Sequence, residues 1–142
     1  MVDQNRFKHT ILPLTAFTLA GVGALFWVLY FAGPLYPAEE GIREFESAFP
    51  VADAALIISL LLTGMGLFGR KGYGEFFLVV ASAMALFLGL LDVTFYGNRG
   101  LYLPLTGFTA AVLTVNVLSM AGGLFGLWLG WRYWNDRSAG AR

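Results

Sequence analysis

The chain of 142 residues contains no cysteine and a single histidine. Without thiols there is no disulfide framework, no thiolate metal site and no dithiol redox chemistry. His9 stands alone beside Arg6 and Lys8, so no histidine set exists for a metal or haem centre, and neither metal nor cofactor is expected. Charge is scarce as well: Asp, Glu, Lys and Arg make up 13% of the residues, against roughly 25% in soluble domains. No glycine-rich phosphate loop follows a strand pattern, no nucleophile elbow is present, and no His-Glu pair has metalloprotease spacing. The cations form no basic surface of the kind that nucleic acid requires, which removes nucleic acid as a partner.

What fills the chain is apolar: 58% of the residues are hydrophobic and 16% aromatic. They gather in four blocks, residues 11–32, 50–68, 74–96 and 104–131. A hydrocarbon core about 30 Å thick takes roughly 20 helical residues, and each block meets or approaches that length. Strand alternation is absent, and lipid cannot hydrogen-bond an open sheet edge, whereas a helix satisfies its backbone internally. The expected fold is all-α and integral to the membrane: an antiparallel four-helix transmembrane bundle forming a single domain over residues 1–142, with the lipid bilayer as its partner. The first block follows Arg6, Lys8 and His9 as a secretory signal would. It exceeds the roughly 7 to 15 apolar residues of such signals and no convincing cleavage site follows, so it is expected to be retained.

Cations set the expected orientation. Arg6, Lys8, Arg70, Lys71, Arg132, Arg137 and Arg142 fall on one side, and only Arg43 and Arg99 on the other. Seven against two places the first side, with both termini, in the cytoplasm of a multi-pass protein of the cell membrane. The outer side is acidic, with Glu39, Glu40, Glu44, Glu46, Asp53 and Asp92. Aromatic anchors agree: Trp128, Trp131, Tyr133 and Trp134 lie inside, and Tyr30, Tyr36, Tyr96 and Tyr102 outside. In the first outer loop Pro37 opens a segment, residues 37–49, in which Ala38, Ile42, Phe45 and Phe49 share one side and glutamates the other. That pattern predicts a short amphipathic helix at the interface, placed where a lid would lie.

Lipid supplies no hydrophobic drive between helices, so close approach at small residues must hold them together. Ala81, Ala85 and Gly89 form one such face, Gly122, Gly126 and Gly130 another, and Ala52, Ala55, Ser59, Thr63 and Gly66 a third. Asp92 continues the face of Ala81, because eleven steps of about 100° return almost to the starting direction. It sits near the C-terminal end of its helix, where dipole and desolvation both disfavour a carboxylate, so a partner is required. Asp53, one turn into the second span, falls at a similar expected depth.

Asp53 and Asp92 are therefore the candidate ligand-binding pair, with Thr106, Thr109 and Asn116 of the fourth span and Arg99 as neighbours. Three readings follow. In the first, the acids bind a cation, a proton or a lipophilic ligand near the outer face, as a transport site would. In the second, the small-residue faces make the chain an accessory subunit of a larger membrane complex, or a homo-oligomer. In the third, the two carboxyls serve as acid and base of an enzyme acting on a lipid or isoprenoid-like substrate.

Overall fold

The computed structural model describes residues 4–33, 35 and 40–140. Among them every regular element is helical: α1 (Gln4–Phe31), α2 (Glu40–Glu46), α3 (Pro50–Phe68), α4 (Tyr73–Asn98) and α5 (Gly107–Gly140). Helices α1, α3 and α4, and within α5 the stretch Thr109–Asp136, are long and apolar enough to cross a membrane. Pro37, Ala38 and Glu39 of the expected interfacial segment lie outside the described residues, as do Tyr36 and Arg142. The remainder of that segment is the short helix α2 and the three residues after it, with the rings of Phe45 in the helix and Phe49 beyond it 4.7 Å apart between centroids.

Two boundaries differ from those expected. Helix α1 begins seven residues before the apolar block, because its polar start is drawn in through a π turn over Phe7–Ile11 that the Leu12 N–H closes on the Phe7 carbonyl. Pro13 follows directly. It offers no N–H to the His9 carbonyl and its ring crowds that group, so a wider turn ahead of it relieves the clash. Helix α5 starts at Gly107 rather than at Pro104 because Thr106 caps it, and it runs past Trp131 because Arg132 to Asp136 contain no glycine or proline to stop it.

The chain divides into two compact units, Met1–Phe77 and Leu78–Arg142, with α4 giving its first turn to one and the rest to the other. In the first unit α1 and α3 run antiparallel: partners rise along α1 as they fall along α3, from His9 and Leu67, through Phe17 and Gly64 and Gly23 and Ile57, to Trp27 and Asp53. The buried residues of this pair include the small or polar Ala16, Ala20, Ser59, Thr63 and Gly64 beside Trp27, Tyr30 and Leu67, while Leu14, Val22 and Val28 (63%) are exposed. Such an arrangement suits an apolar surrounding and would leave too much apolar surface in water. Hydroxyls follow the same logic, since exposed Thr15 and Thr18 donate back to the Ile11 and Leu14 carbonyls at 3.0 and 2.9 Å.

The end of α3 is closed by backbone geometry. The Lys71 N–H reaches the Gly66 carbonyl at 2.7 Å and the Arg70 N–H reaches Leu67 at 3.2 Å, the paired bonds of a Schellman turn. The left-handed position falls on Arg70 (φ 54°) and not on the neighbouring Gly69. Directly beside it Gly66 and Gly74 touch backbone to backbone, and a Cβ on Gly74 would land on the peptide joining Gly66 and Leu67.

In the second unit α4 and α5 are also antiparallel, pairing Val79 with Gly130, Ser82 with Gly126, Leu86 with Gly123 and Gly89 with Met120. The α5 contact is thus made by Gly123, Gly126 and Gly130. Gly122, expected on that face, looks into open space, since one residue turns the direction by about 100°.

Two substitutions test these contacts by thermal unfolding in detergent. Gly74→Ala forces a side chain onto backbone and is expected to destabilise by about 3 kcal/mol. Arg70→Gly relieves a left-handed residue and is expected to stabilise by about 1 kcal/mol. A neutral Gly74→Ala would contradict the backbone contact.

Candidate functional site

Pro50 opens α3 and fixes its first turn, which puts Asp53 where the helix dipole favours an acid. The Asp53 backbone N–H bonds the Phe49 carbonyl at 2.8 Å, which orients the side chain toward α1. There the Trp27 indole Nε1–H donates to Asp53 Oδ2 at 3.0 Å. Trp27 is buried on the α1 face that also carries Ala16, Ala20 and Tyr30, and Asp53 is half-buried. Rings surround the indole: Tyr30 at 5.1 Å, Phe26 at 5.3 Å and Phe31 at 5.6 Å between centroids. A carboxylate held through one oxygen by a neutral donor keeps acceptor capacity on the other. Among the described residues no other side chain hydrogen-bonds to Asp53.

The other candidates belong to the second unit. Asp92 is half-buried on α4, between buried Gly89 one turn before it and buried Tyr96 one turn after. Asn116 is buried, and its Nδ2 donates to the Tyr102 hydroxyl at 3.1 Å. The Tyr102 ring lies 5.6 Å from that of Tyr96, so Asn116 ties the α4–α5 connection back onto α5. Thr106 and Thr109 are engaged in a reciprocal capping box: the Thr109 N–H donates to Thr106 Oγ1 at 3.2 Å and the Thr106 N–H to Thr109 Oγ1 at 2.8 Å. Arg99 is exposed, with its guanidinium 5.2 Å from the centre of the Phe95 ring. The structure thus brings Asn116 together with Tyr102 and Tyr96, and Asp53 together with Trp27.

Three residues of consequence escape a reading of the sequence. Trp27 looks like another apolar position of the first block, and only the antiparallel register of α1 against α3 sets it opposite Asp53. His9 and Lys8 look like ordinary inner-face cations. The Leu67 carbonyl accepts from His9 Nδ1 at 2.8 Å, at the C-terminal end of α3 where carbonyls lack helical partners. Lys8 Nζ lies 2.7 Å from Glu75 Oε1 with both side chains mostly buried. The signal for both was Pro13, which marks a disturbed turn just after them.

Among the described residues no three His, Asp or Glu side chains converge in a way that could hold a metal ion. Compared with protein-family models, with curated proteins and with solved structures, the chain matches none of them.

Trp27→Phe keeps the ring and removes the donor, and is expected to lower unfolding stability by about 1–3 kcal/mol, the range for a hydrogen bond to a charged group. Adding Asp53→Asn to that variant is expected to cost less than Asp53→Asn does alone. Strict additivity in this double-mutant cycle would mean the two side chains do not interact.

Proposed function

We propose that the protein is a multi-pass membrane protein whose function is a binding site at Asp53, open toward the outer face and accepting a cation, a proton or a lipophilic ligand, as a transport site would. The observation that carries this reading is the Trp27–Asp53 hydrogen bond, a carboxylate fixed by a neutral indole inside an apolar helix pair. A carboxyl retained at such depth needs a use, because an apolar pair of similar volume would pack there at lower cost. The proposed topology has both termini in the cytoplasm and four spans in an antiparallel bundle, which assigns Asp53 and Asp92 to the outer half of the bilayer. Asn116, placed mid-span, is a further polar group that a cavity there would reach.

A second reading is favoured by one observation of its own. Gly21 on α1 and Gly122 on α5 face open space, where a Cβ would meet nothing within 4 Å. Exposed glycine weakens a helix, and in lipid it is a surface for close approach by another helix. An accessory subunit or a homo-oligomer would use it. Co-purification from native membranes at fixed stoichiometry supports this reading, and a lone monomer counts against it.

The first reading expects the detergent melting temperature of the unaltered protein to depend on pH and added cations, and expects Asp53→Asn to weaken that dependence. An identical response in both proteins would remove Asp53 as the site. The absence of native cysteine makes the topology directly measurable, because single cysteines placed at Ser47 and Asn135 are expected to label with impermeant reagent from opposite sides of the membrane.

A further inference from the structure

Resting on the acidic-site reading above, we infer that the ligand of Asp53 is a protonated organic amine bearing an apolar group. The inference turns on what lies beside the carboxylate. Trp27 engages Oδ2 through its indole N–H, which leaves Oδ1 as the oxygen to which no described side chain donates. One turn beyond Trp27, at the last residue of α1, Phe31 stands 69% exposed with its ring centroid 5.6 Å from the indole, and Phe26 is 38% exposed. Just before α3 the half-buried Phe49 precedes Asp53 by one turn. Aromatic rings thus adjoin the indole that holds Asp53.

Each ligand class meets these groups differently. A hard divalent ion takes six or more oxygen ligands and favours several carboxylates, and among the described residues no three His, Asp or Glu side chains gather. An anion is repelled by the carboxylate. A neutral apolar molecule gains nothing from a buried acid. An alkyl- or arylammonium uses everything present: its N–H groups donate to Oδ1, its charge pairs with the carboxylate, and its apolar substituent and charge both lie well against ring faces. The indole hydrogen bond keeps the carboxyl group oriented, which prepares it for a cationic partner at no further ordering of that side chain.

The test is a melting-temperature titration of the detergent-solubilised full chain with phenethylammonium chloride, with sodium chloride at matched ionic strength, and with 2-phenylethanol as an uncharged isostere. The amine is expected to raise the melting temperature saturably while the other two do not. Asp53→Asn is expected to weaken the apparent amine affinity about tenfold or more. A shift produced equally by sodium would overturn the amine assignment and leave the acidic site standing. An equal shift with 2-phenylethanol would show that charge is irrelevant and overturn it as well. An Asp53→Asn protein that responds to the amine as the unaltered protein does would remove both the assignment and the site. Should that variant fail to fold, the three-ligand series on the unaltered chain decides, and no amine response there overturns the inference.

Discussion

The structure depends on how closely one helix backbone can approach another. Gly66 against Gly74, and Gly123, Gly126 and Gly130 against Val79, Ser82 and Leu86, leave no room for a single methyl group. Dispersion contact between small residues therefore carries much of the packing between these helices, and many large apolar side chains face out. Polar Ser59, Thr63, Ser82 and Asn116 are buried beside Leu67, Leu78, Leu88 and Leu129, while many other leucines, valines and phenylalanines are exposed.

Close approach also dictates where polar chemistry can sit. With helices this near, an inward carboxylate has room only near the helix ends, where side chains replace glycine contacts. Asp53 lies at one end of the α1–α3 pair, held by Trp27. At the other end His9 closes the α3 carbonyls and Lys8 meets Glu75. Helix α1 is thus fastened to its neighbours by polar bonds at its extremes and by small-residue packing between them. The bond to Asp53 differs from the rest in joining a carboxylate to a neutral indole donor.

Much of the fold was legible because a span is a matter of length and composition. The four apolar blocks became four helices long and apolar enough to cross a membrane, with α3 at its expected limits and α4 within two residues of them. Legibility failed where a single residue of rotation mattered, as in the exchange of Gly122 for Gly123. It failed again where a local device overrode composition, as when the π turn before Pro13 carried polar residues into α1. Of the candidate site, Asp53 and Asn116 stood out as polar groups among apolar ones. Tyr102 stood among the outer tyrosines whose hydroxyls were available, whereas Trp27 read as one more apolar position until register brought its N–H to Asp53. The threonines at 106 and 109 illustrate the converse: hydroxyls conspicuous in an apolar context are claimed by the nearest unsatisfied backbone.

The central claim is that the Trp27–Asp53 bond is where a cationic ligand meets the protein. It is tested most directly by the nitrogen-15 and proton resonance of the Trp27 indole, assigned by its loss in Trp27→Phe and followed as phenethylammonium is added. The account predicts a saturable shift of this resonance that vanishes in Asp53→Asn, while the indoles of Trp128, Trp131 and Trp134 stay in place. A Trp27 resonance that does not move while the amine measurably binds the protein would contradict it.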